Sequence, residues 1–316
     1  MPNPELLAEL TLARGALDRA GERRSDVAWL EQGWSDPRSR VMVLHRGSAP
    51  VVDSKICFMA TNIAPPGVRL LLGVDRNEVV YWAVLVDVER DEPPYLEGIS
   101  DIEFMRWAAL RDVGSALSDR DAGLMVSAVA LSQWHWSHTN CPRCGAMTEV
   151  DKAGWARTCP VDASEHFPRN DPAVIVLVVD RDDRALLGRR ADFPDSWFST
   201  LAGFVEAGES AEMALVREMA EEAGVHLDPS DLDYLGSQPW PFPSSLMLGY
   251  LARYRGDPAQ ARPDGEEIDE VRWFTREELM AGCTSGEVKI PGPISIARRL
   301  IEHWYGSPLP GQWSRP

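Results

Sequence analysis

Gly203-Phe-Val-Glu-Ala-Gly-Glu209-Ser210-Ala-Glu-Met-Ala-Leu-Val-Arg217-Glu218-Met219-Ala-Glu221-Glu222-Ala-Gly224-Val225 is the stretch that decides the fold. Ser210 is a suitable N-cap and Gly224 a C-terminal stop, so the run predicts a helix over Ala211–Ala223. Glu218, Glu221 and Glu222 stand three and four residues apart and share one face of that helix. Like charges at this spacing repel by roughly a few tenths of a kcal/mol per pair. A cation among them rationalises the cluster, and hard, all-oxygen ligands suit Mg²⁺ or Mn²⁺. Taken alone, three glutamates also describe a solvated acidic face. Arg217 beside the cluster and Glu209 upstream are placed to pair and pin the loop onto the helix.

The wider spacing separates those two readings. It is G-x5-E-x7-R-E-x-x-E-E-x-G, met at all seven fixed positions, with apolar Met219 and Val225 at the flexible ones. At residue frequencies of about 7% each, a chance match in this chain is on the order of one in a million. The segment resembles the Nudix box, the signature of the Nudix hydrolases. The resemblance implies an α/β (α+β) fold for residues 170–306. That fold is a mixed sheet sandwiched by helices, with the box as loop–helix–loop. It also implies cleavage of a nucleoside diphosphate linked to another group, with divalent cations between the acidic helix and the diphosphate. The implied metal ligands are Glu218, Glu221 and Glu222, joined by Glu267 from outside the box and the backbone carbonyl of Ala202. Glu221 or Glu222 serves as the base that takes the proton of the attacking water.

Twelve residues after Val225 begins Ser237-Gln238-Pro239-Trp240-Pro241-Phe242-Pro243-Ser244, followed by Ser245. Three prolines fix φ and block ladder donation, so the run is stiff and extended. It reads as a sheet-edge loop packed by its aromatics, or as a platform presenting Trp240 and Phe242 to a planar ligand. The string resembles the marker of the NADH pyrophosphatase (NudC-like) branch of the Nudix hydrolases. That resemblance implies hydrolysis of NAD⁺ or NADH to AMP and the nicotinamide mononucleotide, with Gln238–Ser245 lining the substrate pocket. It adds Phe167 as a base-stacking residue, Ala297 as a substrate contact and Arg106 as an N-terminal substrate arginine. It implies a homodimer whose subunits share each pocket. Removal of an NAD cap from RNA 5′ ends is the alternative activity, since the bond is the same.

Cys141-Pro-Arg-Cys144 followed by Gly145 is a zinc-ribbon knuckle, and Cys159 begins a second one. The C-x2-C spacing points to position 162, where the residue is Asp162 and the family pattern has a fourth cysteine. The set Cys141, Cys144, Cys159 and Asp162 is thus a degenerate structural Zn²⁺ site, or a knuckle of packed thiols.

The remainder sets the frame. The chain has 316 residues with 49 acidic and 32 basic, a formal charge of −17. That charge argues against a general phosphate-backbone binder. The longest apolar run, Ala173–Val179, is far short of the ~20 residues a spanning helix needs. Five cysteines without an export signal read as reduced thiols, and the expected compartment is the cytoplasm. The organisation reads as an α+β scaffold or dimerisation domain over residues 1–136, the ribbon-like insert over 137–169, the Nudix domain, and a loose tail over 307–316. Within the first part, Val68–Val74 and Val79–Val86 predict a hairpin, and Phe104–Leu117 and Ala122–His135 predict helices.

Overall fold

Caps and apolar runs account for the first elements of the computed structural model, which describes residues 10–15, 17–86, 92–96 and 102–311. Asp26 accepts the Trp29 amide and opens helix α1 (Val27–Ser35). Strands β1 (Arg40–Leu44), β2 (Ser48–Val52), β3 (Lys55–Ile56), β4 (Val68–Val74) and β5 (Val80–Leu85) follow. The Asp75 carboxylate accepts the Asn77 and Val79 amides and closes the expected β4–β5 hairpin. Strand β1 adds in parallel to β5, giving the order β1-β5-β4.

The expected helix over Phe104–Leu117 is corrected. Arg106–Ala109 is strand β6, paired antiparallel with β2, Phe104 ends a 3-10 turn, and only α2 (Leu110–Val113) is α-helical. The backbone partners offered by β2 override a helix-compatible composition. Helix α3 (Asp119–Ser137) is capped by Ser118 and buries twelve of its residues, His135 among them. Three short antiparallel strands follow: β7 (Glu149–Asp151), β8 (Ala156–Thr158) and β9 (Glu165–His166). The Trp155 indole donates to the Leu71 carbonyl at 2.6 Å and ties these strands to β4. These elements lie in one compact unit, Arg14–Asn170 with Pro241–Ser244.

The second unit comprises the described parts of Met1–Ala13, Asp171–Trp240 and Ser245–Pro316. Its strands are β10 (Asp171–Val179), β11 (Ala185–Arg190), β12 (Leu201–Phe204), β13 (Leu232–Trp240), β14 (Ser245–Arg253) and β15 (Ile268–Phe274). Helix α4 (Ala211–Ala223) precedes β13, and α5 (Arg276–Ser285) and α6 (Ile296–Tyr305) follow β15. The sheet runs β13-β14-β10-β11-β15, with β12 also paired to β10. Strands β10 and β14 are parallel and the other neighbours antiparallel, so the sheet is mixed.

Strand β10 explains the sandwich. Val174, Val176 and Val178 pack with Ala214, Leu215 and Met219 of α4. Ile175 and Leu177 face the other way, toward Leu279 of α5 and Leu300 of α6. A strand buried on both faces reads as a continuous apolar run, as this one does. The tail expected to be loose is pinned as far as residue 311. Arg298, itself buried, donates to the Leu309 and Gly311 carbonyls, and Glu302 accepts the Leu309 amide. A buried guanidinium needs acceptors, and the returning backbone supplies them. Residues 312–316 lie outside the described set.

Candidate active site

Helix α4 begins and ends as its sequence predicts. Ser210 Oγ accepts the Met213 amide at 3.2 Å, and Gly224 takes the left-handed C-cap at φ 63°. Arg217 then organises the loop before it. Nε and Nη2 meet both Glu209 carboxylate oxygens at 2.9 Å, and Nη2 also reaches the Phe204 carbonyl at 3.0 Å. This is the expected pin, in the bidentate form that gives strength and direction. Glu209 in turn accepts the Glu206 amide at 3.0 Å. The Arg217 pKa is driven above its ordinary value, first by Glu209 and then by Glu218 and Glu221 against the cost of burial.

The three helix glutamates differ sharply in environment. Glu221 is 61% exposed in its side chain and meets Arg217 at 3.1 Å. Glu218 meets Arg217 at 2.8 Å and lies against Gly203 so closely that a Cβ there overlaps its carboxylate. Glu222 is 4% exposed, and its Oε2 is buried without a hydrogen-bond partner. Burial first, then the carboxylates of Glu218, Glu267 and Asp264, push the Glu222 pKa up to about 8, with Arg190 opposing. A buried, partnerless carboxylate oxygen is a group whose desolvation a bound divalent cation would offset.

Glu267 comes from the turn before β15. The Asp264 carboxylate accepts the amides of Glu266, Glu267 and Ile268 at 3.0, 3.1 and 2.9 Å, which holds that turn in shape. The Glu267 carboxylate itself meets Arg190 Nη1 at 2.5 Å. One cleft in this unit is lined by Ala202, Glu222, Trp240 and Ala297, together with Arg190 and Thr200. The Thr200 hydroxyl is also buried without a partner.

The other sequence candidates fall in different places. Gln238 is 0% exposed and is not among the cleft residues. Its Oε1 accepts the Leu12 amide and its Nε2 donates to the Ile294 carbonyl, both at 3.1 Å. Pro239 and Trp240 end β13, opposite Leu246 and Ser245. Pro241, Phe242, Pro243 and Ser244 group with the other compact unit, where the Arg111 guanidinium lies 4.0 Å from the Phe242 ring centroid. Phe167 is exposed in that same unit, with Lys152 Nζ 5.3 Å from its ring. Arg106 is exposed and starts β6. Sequence reading missed Arg190, Thr200 and Asp264. For Asp264 the signal was the Asp264-Gly265 turn pair; an arginine pair at a strand end and a lone threonine carry none.

The cysteine cluster is a separate centre. Ligand atoms of Cys141, Cys144, Cys159 and Asp162 all lie within 4.8 Å of one another, a donor set that fits tetrahedral Zn²⁺. Cys144 and Cys159 sulfurs are 3.4 Å apart, and Cys141 Sγ is 3.8 Å from Asp162 Oδ2. Asp162 accepts the Ser164 hydroxyl and amide, which hold its carboxyl well below the usual range.

Residues 169–289 match the NUDIX domain family, and residues 137–167 match the NADH pyrophosphatase zinc ribbon domain. Among the described residues no helix is long and apolar enough to cross a membrane. The chain is 40% identical over 309 residues to the NAD-capped RNA hydrolase NudC of Mycobacterium bovis (strain BCG / Pasteur 1173P2), covering 93% of this chain and 94% of that protein. It is 38% identical over 200 residues to the NAD-capped RNA hydrolase NUDT12 of Homo sapiens, covering 60% of this chain and 42% of that one. The crystal structure of a NUDIX hydrolase from Nitrosomonas europaea covers 54% of this chain and 95% of its own at 20% identity, with a TM-score of 0.40. The chain belongs to the NudC family of Nudix hydrolases.

Proposed function

We propose that this protein hydrolyses the diphosphate bond of NAD(H), giving AMP and nicotinamide mononucleotide. The observation that carries the reading is Glu222, a buried carboxylate with an unpartnered oxygen in a cleft shared with Trp240 and Ala297. Glu218, Glu222 and Glu267 are proposed to hold the metal, with the Ala202 carbonyl beside them. Mg²⁺ or Mn²⁺ held by these residues would neutralise the diphosphate oxygens, polarise phosphorus and lower the pKa of the attacking water. Glu222 lines the cleft and serves the reacting end, as ligand or as base. Glu221, exposed and tied to Arg217, serves as ligand or base from the rim. Trp240 offers a ring for stacking on the nicotinamide or the adenine. Gln238, fully buried, supports this wall from behind by joining Leu12 and Ile294.

Incubation with NADH and Mg²⁺ or Mn²⁺ is expected to yield AMP and NMNH by chromatography. A purified protein inactive with both metals overturns the reading. The second reading is removal of an NAD cap from RNA, and both named relatives are NAD-capped RNA hydrolases. The charge of −17 favours the small dinucleotide. A kcat/KM for NAD-capped RNA above that for NADH reverses this order. We further propose a cytoplasmic homodimer, for which light scattering on the purified chain is the check.

A further inference from the structure

A β-bulge divides two neighbouring arginines. Arg189 pairs opposite Glu270 and Arg190 opposite Ile268, so the register slips across Asp269. The unpaired residue is Asp269 on β15, and along β11 side chains alternate, so Arg190 shares a face with Gly188, which also lines the cleft, and Arg189 takes the other face. Arg189 is 12% exposed, with its guanidinium on Asp269 at 2.5 Å, Glu270 at 3.4 Å and Asp195 at 3.5 Å. Arg190 instead lines the cleft with Glu222 and is 46% exposed. Its Nη1 meets Glu267 at 2.5 Å and its Nε lies 3.4 Å from Asp192. Among the described residues lining the cleft it is the only cation.

We infer that Arg190 binds the substrate's diphosphate, and that Glu267 holds it in waiting until a metal cation takes Glu267 away. This rests on the proposed hydrolysis of a dinucleotide diphosphate. The cleft carries the carboxylate of Glu222, with Glu218, Glu267 and Asp264 near it, so a diphosphate entering it meets repulsion. A guanidinium on the wall counters that repulsion, and its planar donor set matches phosphate oxygens. The Arg190–Glu267 pair is exposed on both sides, hence weak and exchangeable. A cation that recruits Glu267 releases the Nη1 donor, and most of the remaining guanidinium donors stay open to phosphate. Metal loading thereby prepares Arg190 for substrate, and Arg190 competes with metal for Glu267 while substrate is absent.

The test uses the full-length protein with Arg190→Gln and Arg190→Lys. Binding of ADP to the Mn²⁺-loaded protein is measured by calorimetry, and binding of Mn²⁺ alone by electron paramagnetic resonance. In Arg190→Gln, ADP affinity is expected to fall roughly tenfold or more, the scale of a charge-assisted phosphate contact. Mn²⁺ affinity is expected to stay level or rise, because a competitor for Glu267 is gone. Arg190→Lys is expected to retain an intermediate ADP affinity, and KM for NADH to rise in step with the loss of ADP binding while kcat changes less. Unchanged ADP affinity in Arg190→Gln overturns the inference. So does Mn²⁺ affinity falling together with ADP affinity, which is what a residue that only positions Glu267 produces. Wild-type protein that fails to hydrolyse NADH defeats the substrate assignment alone, since the ADP and Mn²⁺ measurements still decide the role of Arg190.

Discussion

The two candidate metal centres are built on opposite principles. At the cysteine cluster each thiol has a near neighbour, and the Asp162 carboxylate is already satisfied by Ser164. At the acidic helix, Arg217 satisfies Glu209, Glu218 and part of Glu221, yet Glu222 is left buried with an orphan oxygen. The difference teaches where each centre does its work. A satisfied cluster stabilises a small three-stranded sheet too short to bury a core of its own. An unsatisfied buried carboxylate costs stability, which the proposed role of Glu222 in the chemistry would explain.

The contrast is broken most directly at Glu222. Glu222→Gln is expected to lower kcat for NADH by roughly a thousandfold, the scale of a lost acid–base or ligand group. Its melting temperature in EDTA is expected to be unchanged or higher, because the ionised acid it replaces is disfavoured by burial. Near-normal turnover removes Glu222 from the reaction, and a large drop in melting temperature recasts it as structural.

The next largest effect belongs to His135, in the satisfied region. Its Nε2 meets the Gly154 carbonyl at 2.9 Å, and Arg157 Nη1 lies 3.1 Å from its Nδ1. Burial first, and the Arg157 charge with it, draw its pKa down to about 4 against the Gly154 bond. The unfolded chain, near 6.5, then binds more protons than the fold between those values. Stability is therefore lost as pH falls from about 6.5 to about 4, by no more than about 3 kcal/mol, and levels off below. Urea titrations across that range check it, and His135→Gln should flatten the dependence.

A smaller effect is expected from Gly203→Ala, whose new Cβ displaces the Glu218 carboxylate. Misplacing one proposed ligand is expected to cost roughly tenfold in kcat with little change in stability. The smallest effect on turnover is expected at the other centre. Asp162→Ala should lower bound zinc, read by mass spectrometry, and lower the melting temperature. The kcat of the folded protein should stay within about a factor of two, since a structural zinc site does no chemistry. A matching fall in kcat erases the division between the two centres.

How much of this was legible depends on how local each signal is. The helix Ala211–Ala223 was readable to the residue, because its cap, stop and glutamate spacing all lie within one segment. Thr275 and Glu278 likewise form a local capping box, with both reciprocal bonds made. Arg106 was readable as a candidate only on a helix, and the structure puts it on β6, because the partner strand β2 lies more than fifty positions earlier. Gln238 stood in a motif implied to line the pocket, yet its amide is spent on Leu12 and Ile294, far away in sequence. Arg190 gave no signal as a site residue: alternation along β11 puts it on the face of Gly188, and only the fold brings that face to Glu222.

By itself the sequence determined the helix Ala211–Ala223 with its cap, its stop and its row of glutamates, because periodicity and spacing act over a few neighbouring residues, and the resemblance of that spacing to the Nudix box implied the chemistry and the sandwiched sheet. Tertiary structure alone decided which glutamate is buried and unpaired, which is exposed and tied to Arg217, and which cation waits beside them. The reason is physical. Burial and local charge are set by groups such as Glu267, Asp264 and Arg190, which only folding brings to Glu222.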